Sequence, residues 1–154
     1  MGMDTSRPIL HGPTTDLILK AFYQVYNALG YGFLERVYAA ATAHTLRKLG
    51  LIAAREVPIR VEYDGITIGE YQADLVVNDA VLVEIKAARA LAEEHQAQLL
   101  NYLRATRFEV GLLLNFGPEP QFRRRVFENA RKGQPPRAQG RAGALHKFGG
   151  VPEI

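Results

Sequence analysis

The chain of 154 residues contains no cysteine. Disulfide bonds and thiolate metal sites are therefore excluded, and any metal ion must be held by oxygen or imidazole ligands. No apolar run approaches the length that spans a bilayer. The N-terminal stretch MGMDTSRPILHGP has acidic, proline and glycine interruptions where a secretory signal has an apolar core. These absences predict a cytoplasmic protein without membrane contact.

Several motifs of small-molecule enzymes are also missing. The sequence has no P-loop, no G-x-G-x-x-G after a strand, no G-x-S-x-G and no paired-histidine zinc motif. A small-molecule enzyme unrelated to phosphate chemistry therefore lacks support.

An excess of basic charge is confined to the C-terminal end of the chain. Residues 1–130 carry 14 Lys and Arg against 15 Asp and Glu, a net charge of −1, whereas residues 131–154 carry 5 against 1, or +4. The C-terminal stretch is rich in Gly and Pro and has no periodicity, which favours a solvated, flexible tail over a phosphate-binding arm. We expect an N-terminal extension over 1–13, one domain over 14–128 and a basic tail over 129–154.

The hydrophobic pattern predicts the element order α-α-β-β-β-α-β-β. Thr14, Thr15 and Asp16 offer an N-cap for the first helix, and an Asp64-Gly65 turn indicates a hairpin. The remaining predicted elements are a helix over 33–49, strands over 57–63, 66–71, 71–77 and 81–87, a helix over 91–104, and strands over 109–115 and 121–128. Helices before and after the strand meander, with one helix crossing over between strands, predict an α/β (α+β) fold with a mixed sheet flanked by helices.

The stretch LVVNDAVLVEIKA, residues 75–87, has the composition of a buried strand pair but contains Glu84 and Lys86. If residues 78–80 form a three-residue loop, the numbers of paired residues sum to 158, so that Asp74 faces Glu84 and a further pair joins Gln72 to Lys86. Asp74, Glu84 and Lys86 would share one face, and the apolar face would hold Ala73, Leu75, Val83 and Ile85. A two-residue loop would separate the two carboxylates.

Two explanations of this charged cluster stay open from the residues alone. Lys86 could neutralise a partly buried acidic pair, which is a purely structural role. A hard divalent cation is the other natural partner of two adjacent carboxylates.

Two helical segments carry further polar groups. Glu35 and Tyr38 stand three residues apart at the start of the second helix, and an acid there gains from the helix dipole. His95, Gln98 and Tyr102 fall at i, i+3 and i+7, which predicts a polar line on one face of the third helix.

Together these residues resemble the GxxExxY protein family, a branch of the PD-(D/E)XK nuclease superfamily close to its RecB-type members. The resemblance covers roughly residues 14–128 and rests on motifs in a fixed order: Gly32-x-x-Glu35-x-x-Tyr38, Asp74, Glu84-Ile85-Lys86, Gln98-x-x-x-Tyr102 and VGLLLNFG over 110–117. Ala73 stands where the classical motif has proline.

The resemblance implies a restriction-endonuclease-like core with a Mg²⁺ or Mn²⁺ site. Asp74 and Glu84 would be metal ligands, Lys86 the catalytic lysine, and Glu35 an additional acidic ligand or water-orienting group. Gln98 and Tyr102 would position substrate or the site itself. Tyr38 would serve packing, and His95 has no assigned role.

The resulting hypothesis is a metal-dependent nuclease acting on DNA in preference to RNA. The alternative is a non-catalytic module of the same fold that binds nucleic acid or protein, since residues 1–130 lack a basic footprint. A domain this small could also act as a homodimer or with a protein partner through the edge strand predicted over 121–128.

Overall fold

The computed structural model describes residues 9–133. Residues 1–8 of the expected extension and 134–154 of the expected basic tail lie outside the described residues. Five strands form one sheet in the order β1-β2-β3-β4-β5, with β3 and β4 parallel and every other neighbouring pair antiparallel. The strands are β1 Ala53–Tyr63, β2 Ile66–Val77, β3 Val81–Lys86, β4 Val110–Phe116 and β5 Pro120–Val126.

Three α-helices accompany the sheet: α1 Gly12–Leu29, α2 Glu35–Lys48 and α3 Glu93–Ala105. The predicted element order is confirmed, and α3 is the crossover between the parallel strands. A short 3-10 turn, Asn129–Arg131, follows the last strand. None of the helices among residues 9–133 is both long and apolar enough to cross a bilayer.

Helix α1 starts earlier than the predicted cap at Thr14 to Asp16. It begins at Gly12, after His11 in the left-handed region, and Pro13 lies in its first turn. Proline is favoured there because its missing N–H would have no intrahelical partner. Thr15 instead turns its hydroxyl inward and donates to the Gly12 carbonyl at 3.0 Å, so it is a residue of the helix and not its cap.

The first two strands form the predicted hairpin around Asp64-Gly65, and both turn residues have positive φ, 55° and 75°. Such angles match a type I′ turn, whose twist fits antiparallel strands. The two strands predicted over 66–71 and 71–77 are one continuous strand, β2. β1 and β5 are the edge strands of the sheet, as expected for the segment over 121–128.

The two faces of the sheet are covered by different helices. Helices α1 and α2 pack on one face around a mainly apolar core that also buries Thr15 and Thr42, and α3 packs on the other. Gly111 on β4 permits the close approach of α3, because a β-carbon there would stand 2.7 Å from the Leu99 side chain. The face under α3 is the one that carries the charged residues.

Candidate metal and catalytic site

Strands β2 and β3 part at the predicted site. Their paired residues are Val77 with Val81, Val76 with Leu82 and Leu75 with Val83, so the expected sum of 158 and the three-residue loop are confirmed. Pairing stops there, and Asp74 Oδ2 accepts a hydrogen bond from the Ile85 amide at 2.7 Å. A carboxylate has thus replaced the backbone acceptor at the point where the strands separate.

Two details of the predicted strand pair are wrong. Neither the pair of Gln72 with Lys86 nor that of Asp74 with Glu84 forms in the backbone ladder, because the ladder between β2 and β3 ends at Leu75; Asp74 and Glu84 meet only through their side chains. Ala73 packs in the core under α3, whereas Leu75 packs in the core under α1 and α2. The alternation breaks beside Glu56, which has φ 53° and lies with Asp74 at a position that the ladder skips, between the pairs of Leu75 and Ala73 with β1. A residue in that conformation disturbs the pleat of its own strand and its neighbour.

Glu84 is the most perturbed acid of the site. Its residue is only 6% exposed, and its Oε1 has no hydrogen-bond partner. Burial, and then the adjacent charge of Asp74, raise the pKa of Glu84 from 4.5 to about 9, despite an opposing effect of Lys86. A buried, ionised carboxylate whose oxygen has no partner is energetically unfavourable. A cation or a proton on Glu84 would therefore stabilise the folded site.

Lys86 does not compensate for the burial of the Glu84 carboxylate. It ends β3 half-buried, and among residues 9–133 no ion pair within 4.0 Å joins it to Asp74 or Glu84. Its charge lowers the pKa of Glu84, but less than burial and Asp74 raise it. The purely structural explanation, in which Lys86 neutralises the acidic pair, is therefore insufficient.

The residues present fit a hard divalent cation. Adjacent carboxylates with a free oxygen are the donors that Mg²⁺ and Mn²⁺ prefer, usually with water completing the shell. Within the described part of the chain no group of three or more His, Asp and Glu residues could hold a metal ion. Of the three ligands predicted from the sequence, the structure brings Asp74 and Glu84 together.

Glu35 is not grouped with that pair. It is the exposed first residue of α2, and α2 packs on the opposite face of the sheet from α3. Its carboxylate lies in the first helical turn, where the dipole favours a negative charge. A role for Glu35 as a third ligand remains a prediction from the sequence.

Tyr38 holds the loop that precedes Glu35. Its buried hydroxyl donates to the Gly30 carbonyl at 2.6 Å and accepts from the Phe33 amide at 3.0 Å. Its ring stacks on Phe116, with centroids 4.2 Å apart. Gly32 between these contacts has φ +117°, which a residue with a side chain rarely adopts. The glycine and tyrosine of Gly32-x-x-Glu35-x-x-Tyr38 therefore shape a turn.

Gln98 and Tyr102 of the predicted polar line are joined by a hydrogen bond on α3. Gln98 Nε2 donates to the Tyr102 hydroxyl at 2.9 Å. Burial, followed by the charges of Glu84, Tyr71 and Asp74, raises the pKa of Tyr102 to about 12. Tyr102 is therefore electrostatically coupled to the acidic pair, and it remains a neutral hydroxyl at physiological pH.

His95 belongs to the start of the same helix. Its Nδ1 accepts a hydrogen bond from the Ala92 amide at 3.2 Å, so it satisfies one of the unpaired amides at the helix N-terminus. That contact gives His95 a capping role.

Two residues near the site were missed by sequence reasoning. Tyr71 on β2 packs its ring 5.5 Å from that of Tyr102, and Asn115 lies buried in the otherwise apolar β4. The signal for Asn115 was available, since an amide that ends the run VGLLL is expensive to bury without a partner. Nothing in the sequence indicated the contact of Tyr71.

A mixed sheet with a crossover helix and an acidic pair followed by lysine defines a nuclease-like α+β domain. The chain belongs to the PD-(D/E)XK nuclease superfamily, whose family profile matches residues 13–126. Among solved structures it is similar to the one titled "Crystal structure of SSO0001", with 16% identity, a TM-score of 0.37, and coverage of 82% of this chain and 79% of that one. No curated protein matches the chain.

Proposed function

We propose that the protein is a divalent-metal-dependent nuclease that hydrolyses phosphodiester bonds of DNA, in preference to RNA. The observation that supports this most directly is the buried Glu84 Oε1 beside Asp74, which has no hydrogen-bond partner and is suited to a cation. Membership of the nuclease superfamily supplies the reaction class. The order of the motifs supports placing the chain in the GxxExxY branch.

Asp74 and Glu84 would hold Mg²⁺ or Mn²⁺, with Glu35 as an additional acidic ligand or water-orienting group. When bound, such an ion lowers the pKa of water and offsets negative charge that develops on a phosphoryl group. The charge of a bound cation would offset the repulsion between the two carboxylates, so metal binding would release the proton of Glu84.

Lys86 is the group of this chain suited to the reacting phosphate. It follows Glu84 by two residues on the same strand, so its ammonium projects from the same face of the sheet. A cation placed there orients the attacking water and stabilises charge on the phosphoryl oxygens in the transition state. Gln98 and Tyr102 flank the carboxylates from α3 and would position the site or the substrate.

The test is a nuclease assay on single- and double-stranded DNA and RNA with Mn²⁺ or Mg²⁺. Wild type should cleave DNA, whereas Glu84→Ala and Lys86→Ala should not. Glu93→Ala is the matched control, because Glu93 is an exposed acid on α3. Cleavage that ignores both site variants would come from a contaminating nuclease and would contradict the proposal.

A second candidate function has its own supporting observation. Residues 1–130 have a net charge of −1, which is a weak electrostatic footprint for nucleic acid. A non-catalytic module that binds nucleic acid or a partner protein fits that charge. Metal binding by wild type without cleavage of any of the four substrates would favour this candidate.

A further inference from the structure

Asn115 binds one backbone unit with both ends of its amide. Its Oδ1 accepts a hydrogen bond from the Ala88 N–H at 2.9 Å, and its Nδ2 donates to the Ala88 carbonyl at 3.0 Å. The Asn115 residue is fully buried. The amide therefore satisfies a donor and an acceptor that no strand pairs, since β3 ends at Lys86.

The register places Asn115 beside Lys86. The two residues are partners in the parallel pair of β3 and β4, so their side chains leave the same face of the sheet. Ala88 follows Lys86 by two residues, and the next helix begins only at Glu93. Asn115 thus fixes the first turn of chain after the lysine.

Neighbouring residues hold the same segment. Gln121, the partner of Asn115 on β5, accepts a hydrogen bond from the Leu91 amide at 3.3 Å through Oε1. Gly117 lets the chain pass closely, because a β-carbon there would stand 2.4 Å from the Ala88 carbonyl oxygen. Asn115 on β4, Gly117 in the connection and Gln121 on β5 therefore hold the link between Lys86 and α3. We call the hydrogen bonds of Asn115 to Ala88 within this contact the clamp.

We infer that Asn115 is a positioning residue for Lys86 and for the start of α3. This inference rests on the proposed nuclease function. A positioning role would explain why an amide is buried at this point of β4. An apolar side chain at position 115 would pack there without the energetic cost of burying a polar group. Loss of the clamp lets the chain after Lys86 shift, and displacement of a catalytic group by about 1 Å costs on the order of 100-fold in rate.

The experiment compares Asn115→Asp and Asn115→Ala with wild type. Aspartate keeps the acceptor for the Ala88 amide but turns an oxygen toward the Ala88 carbonyl. We expect kcat to fall about 10- to 100-fold in both variants. The affinity for Mn²⁺, measured by calorimetry, should stay within about threefold because Asp74 and Glu84 are untouched.

Asn129→Ala is the matched control for a general loss of stability. Asn129 also makes side-chain hydrogen bonds, to the Arg107 carbonyl at 3.1 Å and from Lys132, but belongs to the 3-10 turn after β5. Its kcat should equal that of wild type. An unchanged kcat in both Asn115 variants, or an equal loss in Asn129→Ala at equal stability, would overturn the inference.

Hydrogen exchange at the Ala88 amide gives a readout that does not depend on turnover. Exchange should be at least about tenfold faster in Asn115→Ala than in wild type, with the amides of β4 unchanged. An inactive wild-type protein that keeps this difference would overturn the nuclease proposal while retaining the clamp. Equal exchange at Ala88 in the two proteins would overturn the clamp itself.

Discussion

The two faces of the central sheet differ in the side chains that they bury, although the same strands form both faces. Under α1 and α2, β3 and β4 present only apolar side chains, which pack with Tyr38 into one continuous core. Under α3, the alternate positions of the same strands carry Glu84, Lys86 and Asn115. One face buries mainly apolar surface, with the Thr42 hydroxyl as a small unpaired polar group, whereas the other buries a carboxylate and an amide and leaves Glu84 Oε1 unpaired. Because successive side chains alternate between faces, six-residue β3 serves both purposes.

This contrast predicts which substitutions should change the stability of the protein and which should change its activity. Substitutions on the apolar face should lower the free energy of unfolding with little change in the chemistry of folded molecules. On the polar face, substitution of Glu84 should remove turnover and leave stability unchanged or improved, because its buried oxygen has no partner and such groups at functional sites are costly. Each prediction below applies to one face.

The largest effect is expected for Glu84→Gln on the polar face. The amide keeps the shape of the side chain but cannot ligate a hard cation as a carboxylate does, so we expect turnover of DNA to fall at least about 1000-fold. Single-turnover cleavage with Mn²⁺ measures this. A variant with more than a tenth of the wild-type rate would show that Glu84 is not a ligand.

The next largest effect is expected for Phe116→Ala on the apolar face. Phe116 is fully buried, and its ring lies 4.8 Å from that of Phe22 and 4.2 Å from that of Tyr38. Its removal should lower the free energy of unfolding by about 3–5 kcal/mol, measured by urea denaturation. Phe116→Leu serves if the alanine variant does not fold. Loss of kcat per folded molecule with unchanged stability would contradict the separation of the two faces.

The pH dependence of stability should be confined to the polar face. Burial and Asp74 raise the pKa of Glu84 from 4.5 to about 9, so the folded protein keeps a proton that the unfolded chain releases above about pH 4.5. Without metal, the contribution of Glu84 is therefore fully present below about pH 4.5 and is lost as the pH rises toward about 9, by at most about 1.4 kcal/mol per pH unit.

Thermal unfolding in a chelator between pH 5 and 9 measures that loss. Glutamine at position 84 does not titrate, so Glu84→Gln should have a flatter profile and a higher Tm than wild type at pH 8. Identical slopes for the two proteins would mean that Glu84 ionises normally in the folded state.

The smallest effect is expected for Tyr38→Phe. The change removes the hydrogen bonds to Gly30 and Phe33 but keeps the ring on Phe116, so it should lower the free energy of unfolding by about 1–2 kcal/mol. Cleavage per folded molecule should stay within about threefold of wild type. A larger loss of turnover at unchanged stability would assign Tyr38 a part in the chemistry.

Much of the site was readable from the sequence because it depends on local rules. A three-residue loop and the period of a strand were enough to predict the register of residues 75–77 with residues 81–83, and Asp74 lies beside Glu84 just beyond that ladder. Helical spacing was enough to predict that Gln98 and Tyr102 share one face of α3, where the structure joins them by a hydrogen bond. Both predictions rest on residues close along the chain.

What the sequence did not reveal depends on backbone irregularity and on distant partners. The left-handed Glu56 moves Ala73 to the other core, and no pattern predicts such a conformation for a glutamate. The hydrogen bonds of Asn115 reach Ala88, 27 residues earlier in the chain. Their existence follows only from the parallel pairing of β3 and β4, since the motif spacing carries no information about it.

The most direct test of the central claim is a calorimetric titration of Mn²⁺ into wild type and Asp74→Ala at pH 8. The claim is that Asp74 and the buried oxygen of Glu84 form one cation site on the polar face. Wild type should bind Mn²⁺ and release a proton from Glu84, seen as a heat that depends on the ionisation enthalpy of the buffer. Asp74→Ala should bind at least about 100-fold more weakly. Equal binding by the two proteins, or no binding by wild type, would contradict the account.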